Sequence, residues 1–234
     1  MFQGKQYEGL VCVFLELVWG NGGGLINEKD EVLIDRPEAV EALRRLVDAI
    51  HADKIAPKGV LTFQEEEARH MFQEGKAVFM RNWPYAWNLL EGSQSPVKDK
   101  VAIMPMVHGK GGKSAATLGG WGYGISAFSK NRQAAWRFMQ FAAKPENQKI
   151  AFFKGGILPT RRSLFEDAEV LKASPHMREL GKVLSAARAR PVHPRYAQIS
   201  DVIQLHVSAA LSKQSEPQAA LTAAAQEIRK ILKR

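Results

Sequence analysis

At 234 residues, 45% hydrophobic and 24% charged, the chain has an ordinary globular composition, with room for one good core or two small ones. Its net charge of +9 raises the question of nucleic acid. The basic residues (Arg44-Arg45, Arg161-Arg162, Arg188, Arg190, Arg229-Lys230) are spread among acids, however, and no RNA-recognition or zinc-finger pattern accompanies them, so a solvated basic surface without a nucleic-acid partner is expected. One cysteine, Cys12, excludes an intrachain disulfide and a cysteine-based zinc site.

The elements follow in chain order. Tyr7 to Trp19 reads as a helix or a buried strand, and periodicity alone leaves both open. Its apolar run from Leu10 is interrupted by Glu16, is too short to span a bilayer, and has no small-x-small cleavage site, so it does not read as a signal peptide. Gly20 to Gly24 is a loop and Val32 to Ile34 is strand-like. Asp35, Pro37 and Glu38 predict the start of a helix through an Asp-x-x-Glu box, with Val40, Leu43, Val47 and Ile50 on one face. A second helix is expected over Gln64 to Glu74, stopped by Gly75. Strands are expected at Ala77–Met80, Lys100–Met106 and Leu118–Ile125, with a short helix from Pro84 to Leu90 between the first two. From Asn131 onward the pattern is helical: Asn131–Ala143 behind a Ser129 cap, Pro145–Lys154, Pro175–Ala189, Arg195–Lys213 and Glu216–Lys233. Prolines 145, 175, 194 and 217 sit at or near helix starts, where their missing N–H costs nothing. The class is α/β, best fitted by a parallel-leaning sheet covered by helices.

Catalytic motifs are weak. Gly109-Lys-Gly-Gly-Lys-Ser114 lacks the first glycine of a phosphate loop, because that position is Val107. The six histidines show no zinc spacing, and no Gly-x-Ser-x-Gly elbow occurs. Glu65-Glu66-Glu67 opens a helix, where acids suit the dipole, and reads as a solvated face rather than a glycosidase pair. No enzymatic activity, metal or cofactor is expected.

Binding residues are better represented. In Ala115–Ser126, glycines flank Trp121, so backbone or ligand can approach closely and the indole offers a flat apolar face. The bland reading of that segment is a glycine-kinked core strand. Trp83 before Pro84 is either a second platform or a core residue at a turn. Arg190 is either a ligand contact or a surface arginine at a helix end. Tyr85, Trp87, Tyr123 and Tyr196 line the same cleft or simply pack.

The order of these pieces carries a resemblance. The Trp121 run, Ser129-Lys130-Asn131, Ala134–Ala143, Lys144–Gln148 and Gly155–Arg161 resemble the C-terminal half of the family 1 extracellular solute-binding proteins. Phe72–Met80 with Asn82-Trp83-Pro84 resembles that family's helix–Gly–strand–Trp passage, and Arg190-Pro191 followed by Pro194-Arg195-Tyr196 resembles its hinge-proximal turn. These proteins are sugar-capturing subunits of ABC importers, the maltose- and trehalose-binding proteins among them. The resemblance implies a type II periplasmic-binding-protein-like fold: second lobe plus a fragment of the first, with a helix-rich C-terminal half. On that mapping, residues 1–104 are second lobe, 105–157 a first-lobe fragment carrying the Trp121 strand, and 158–234 the return to the second lobe.

The resemblance further implies sugar contacts at Trp83, Gly120, Trp121 and Arg190, a carbohydrate ligand, ABC permease subunits as partners, and a periplasmic or extracytoplasmic location. Relatives often carry Gly-Pro-Trp where this chain has Arg81-Asn82-Trp83, so the local backbone is expected to differ there. The opening Met1–Gly9 resembles the interior of the family's sequence, which implies a chain truncated relative to its relatives or started internally. Such a chain should expose apolar surface and unpaired edges. The alternative role is a non-transporting module that self-associates through the exposed half-cleft.

Overall fold

The computed structural model describes residues 1–233. In chain order the α-helices are α1 (Glu8–Gly20), α2 (Pro37–His51), α3 (Glu65–Gln73), α4 (Ala86–Leu90), α5 (Arg132–Ala142), α6 (Pro145–Gly155), α7 (Ala168–Ala173), α8 (Met177–Ser185), α9 (Tyr196–Leu211) and α10 (Pro217–Leu232). Two short strands, β1 (Ala116–Thr117) and β2 (Ala187–Arg188), pair in parallel with Ala116 opposite Ala187 and Thr117 opposite Arg188. No helix among the described residues is long and apolar enough to cross a membrane.

The chain forms two compact units. The first comprises Met1–Trp83, Pro105–Leu118 and the chain from Ala186 onward. Its core is built around α1, which is apolar nearly all round and therefore central. Leu10, Phe14 and Leu15 of α1 pack with Leu43 and Ile50 of α2, Ile199, Ile203 and Leu211 of α9, and Leu221 and Ile228 of α10. The buried face of α2 is the expected one, with Val40, Leu43 and Ile50 buried and Val47 packed at its margin. Its start is different. Asp35 does not cap the helix; Arg36 is the N-cap residue, and the Asp35 carboxylate binds Arg229 of α10 at 2.9 Å. A charged partner from another helix outcompetes the local backbone donor.

The second unit comprises Pro84–Met104 and Gly119–Ser185. Phe152, Val170, Met177 and Leu180 form its core, with Ile103, Leu158, Phe165 and Leu171 packed against them. Phe152 of α6 thus shares one core with Val170 of α7 and Leu180 of α8. The single helix expected over Pro175–Ala189 ends at Ser185, where Ala187 and Arg188 join β1 instead. α7, not anticipated, is capped by Asp167, whose Oδ1 accepts from the N–H groups of Glu169 and Val170 at 3.0 Å each.

The three expected strands do not form. Ala77–Met80, Lys100–Met106 and Leu118–Ile125 carry no strand assignment, although their sequences suit one. A strand needs a neighbour to complete its ladder. For residues 119–125 none of the backbone groups has a backbone partner among the described residues. Ala77–Met80 is not buried either: Val78 and Phe79 are exposed. In the second unit α5 buries none of its residues and exposes Trp136, Phe138 and Phe141, while Trp121, Tyr123 and Phe128 stand exposed nearby in sequence.

Candidate functional site

One helix stripe organises the polar chemistry of the first unit. Glu8, Cys12 and Glu16 recur every four residues along α1 and so share a face, with Glu8 and Glu16 about 12 Å apart along the axis at 1.5 Å rise per residue. Glu16 is the acid that interrupts the apolar run, and it is buried. It accepts from Arg81 twice, Nε to Oε2 at 2.9 Å and Nη2 to Oε1 at 2.7 Å, and its Oε1 also accepts the Thr117 N–H at 3.0 Å. The Thr117 hydroxyl in turn donates to the Cys12 carbonyl at 3.1 Å, which ties β1 to α1. Burial alone would lower the Arg81 pKa, but its hydrogen bonds and charge pairing with Glu16 outweigh that and move it upward, so Arg81 is a fixed cation.

Arg81 positions Trp83. Its guanidinium carbon lies 4.2 Å from the centroid of the Trp83 ring, a cation–π contact over one face. The indole Nε1 donates to Glu65 Oε1 at 3.0 Å. Asn82 completes the turn: its Oδ1 accepts the Trp83 N–H at 2.8 Å and its Nδ2 donates to the Glu65 carbonyl at 3.0 Å. Glu65 is therefore not part of a solvated face, as the sequence reading expected; it is half-buried and holds Trp83. The capping role falls to Glu67, whose Oε2 accepts the Gln64 N–H at 2.9 Å. One face of the Trp83 ring is thus covered and its donor committed. The departure from Gly-Pro-Trp thus has a structural content: Arg81 and Asn82 pin the indole.

Arg190 sits two residues beyond β2, half-buried. Its Nη1 donates to Glu8 Oε1 at 2.6 Å. Tyr196 in the first turn of α9 donates its hydroxyl to the same oxygen at 2.6 Å, and Ser200, one turn on, donates to Glu8 Oε2. Gln204, a further turn on, donates to the Ser200 hydroxyl at 2.9 Å. Burial pushes the Tyr196 hydroxyl pKa up, and the bond to Glu8 adds to it. Arg190 follows Arg81: burial opposes its charge, and the bond to Glu8 more than offsets this, moving the pKa up. Cys12, between the two carboxylates, is fully buried and its thiol is pushed up to about 11, chiefly by burial.

Of the four expected contacts, Trp83 and Arg190 thus belong to the first unit, both anchored to α1 through ion pairs. Gly120 and Trp121 belong to the second, where Trp121 is fully exposed and a Cβ added at Gly120 would meet nothing within 4 Å. Trp121 is therefore not a buried core tryptophan. Among the aromatics left open, Trp87 packs in the second unit, stacked on His176 at 4.2 Å between centroids, and Tyr123 meets Phe138 edge-on at 5.6 Å. The positioning residues Glu8, Glu65 and Arg81 were not anticipated. Glu16 had a signal, since an acid inside an apolar run must find a cation.

The profile of the bacterial extracellular solute-binding proteins matches residues 4–149. A probable ABC transporter-binding protein of Deinococcus radiodurans is 38% identical over 225 residues, covering 94% of this chain and 53% of its own. The fold of maltose-bound MalE3 from T. maritima superposes with a TM-score of 0.94 at 44% identity, covering 99% of this chain and 60% of its own. The GacH receptor of Streptomyces glaucescens, solved unliganded and with acarbose, superposes at 0.77 with 26% identity, over 94% of this chain and 56% of its own. The chain belongs to the bacterial extracellular solute-binding protein family, and its fold is that of a type II periplasmic-binding-protein lobe joined to a helix-rich part of the other lobe. The chain spans about half the length of the curated relatives it matches most extensively.

Proposed function

We propose that this chain is the C-terminal portion of the sugar-binding component of an ABC importer, capturing a di- or oligosaccharide between two lobes for delivery to a membrane permease. Residues 1–104 and 158–234 serve as second lobe and 105–157 as first-lobe fragment in this reading, and the location is extracytoplasmic. The observation that carries it is the likeness to maltose-bound MalE3, which extends over 99% of the chain at 44% identity. The residue types support it. A sugar offers CH faces to aromatic rings and hydroxyls to charged donors, and Trp83, Trp121 and Arg190, with the backbone at Gly120, supply both. No bond is made or broken; closure of the lobes retains the ligand.

A complete site of micromolar affinity is worth about 8 kcal/mol, and loss of half its contacts leaves about 4 kcal/mol, a millimolar site. Titration of the chain with maltose and trehalose, followed by NMR to high sugar concentration, is expected to give saturable millimolar binding. A micromolar isotherm would overturn the partial-site argument, and no saturable binding by any glucoside would overturn the assignment. The second reading, a self-associating module, is favoured by the exposed Trp121, Phe128, Trp136, Phe138 and Phe141. Light scattering giving a stable dimer, together with absence of sugar binding, would establish it instead.

A further inference from the structure

Glu8 presents both carboxylate oxygens to donors of the chain itself. Oε1 takes Arg190 Nη1 and the Tyr196 hydroxyl, and Oε2 takes Ser200. Three donors from two separate parts of the chain converge on it, 182 to 192 residues away in sequence. It lies in the first turn of α1, where a negative charge is favoured by the helix dipole. Its partners on α9, Tyr196 and Ser200, are four residues apart and share one face, and Gln204 extends the row. The carboxylate is thus held by α9 on one side and itself holds the guanidinium on the other.

A guanidinium has five N–H donors in a rigid planar fork. Among the described residues Arg190 commits one nitrogen, Nη1, and commits it to Glu8 alone. That single bond, at 2.6 Å, tethers the guanidinium to a fixed carboxylate, while Nη2 and Nε make no hydrogen bond among the described residues. A flexible arginine would lose rotamer freedom on meeting a ligand, which costs about 0.5–1.5 kcal/mol for an immobilised side chain. One already held by a fixed carboxylate has lost it before the ligand arrives.

We infer that Glu8 is a positioning residue for saccharide binding: it fixes the Arg190 guanidinium so that its uncommitted nitrogens donate to a sugar hydroxyl, without touching the sugar itself. The inference rests on the sugar-binding reading of Arg190. Glu8 acts through Arg190, so its effect on affinity vanishes when the arginine is changed. Tyr196 and Ser200 act one step further out, by holding the carboxylate.

The test is a thermodynamic cycle on the whole chain, labelled with ¹⁵N and titrated with maltose while the tryptophan indole resonances are followed. Wild type, Glu8→Gln, Arg190→Lys and the double variant are compared, with thermal melts of each. Glu8→Gln is expected to weaken maltose binding about fivefold, and the double variant to be no weaker than Arg190→Lys within about twofold, the coupling expected of residues in direct contact. If Glu8→Gln does not fold, Glu8→Asp keeps the charge but withdraws it by one methylene, and the same weakening is expected. A Glu8 variant that melts earlier yet binds maltose as wild type does would overturn the inference and leave a purely structural carboxylate. Full additivity of the two single effects would overturn it as well. Absence of saturable binding in the wild-type chain would instead overturn the sugar-binding reading on which it rests.

Discussion

Arg81→Met tests the buried ion pair that anchors Trp83. In the folded chain Arg81 and Glu16 are both almost completely buried, joined by two charge-assisted hydrogen bonds of 2.9 and 2.7 Å. Removing the cation leaves Glu16 buried with the Thr117 N–H as its remaining donor. Breaking one side of a buried pair costs about 3–5 kcal/mol, because the other charge is stranded. For a chain of this size that lowers the melting temperature by about 6–20 °C. The double variant Glu16→Met/Arg81→Met removes both charges. Replacing a buried pair by apolar side chains is about neutral; Gln3 Oε1 loses its Arg81 Nη1 donor in both variants, so what the double variant adds is the orphaned Thr117 N–H, worth about 1–3 kcal/mol. Urea unfolding followed by far-UV circular dichroism measures both. The double variant is expected to be more stable than the single one by about 2 kcal/mol, the difference between those two costs. A single variant within about 1 kcal/mol of wild type, or a double variant less stable than the single, would refute the stranded-charge reasoning.

Three further outcomes are expected. Cys12 is buried with its thiol raised to about 11, so a thiol-specific reagent at neutral pH should label it only as fast as the chain unfolds; rapid labelling of the folded protein would contradict its burial. Burial against Trp87 lowers the His176 pKa below 6.5, so the unfolded chain takes up a proton first as pH falls through 6.5, and stability contributed by neutral His176 is lost below that pH until the folded pKa is passed. NMR titration of the His176 ring should give a midpoint below 6.5, and one at or above it would contradict the packing. Gly156 ends α6 at φ +66, and a Cβ there would lie 2.1 Å from Asn88 Nδ2, so Gly156→Ala should destabilise the second unit by more than about 1 kcal/mol; an unchanged melting curve would show that the turn relaxes freely.

Local periodicity made the helices readable. The apolar spacing of α2 and the prolines at the first turns of α2, α6 and α10 act within a few residues, and the structure has them where the pattern puts them. Strand formation depends on a partner, and sequence cannot supply that: Leu118–Ile125 has the composition of a strand, yet beyond the Leu118 N–H bond to the Arg188 carbonyl its backbone finds no backbone partner among the described residues. Asp35 illustrates the same limit for caps, since Arg229, 194 residues away, takes its carboxylate. For the candidate site, the sequence singles out Trp83 and Arg190 by chemical type, but not the residues that hold them. Arg190 reaches Glu8 across 182 residues, and no local spacing encodes that pairing. Glu16 is the exception, because a buried acid in an apolar helix announces a partner.

The most direct measurement is the ¹⁵N spectrum of the five tryptophan indoles during a maltose titration of the whole chain. On the sugar-binding reading the Trp83 resonance is expected to move with a saturating midpoint in the millimolar range, while buried Trp19 stays still. A Trp83 resonance that stays still, or drifts linearly without saturation, contradicts the proposed site.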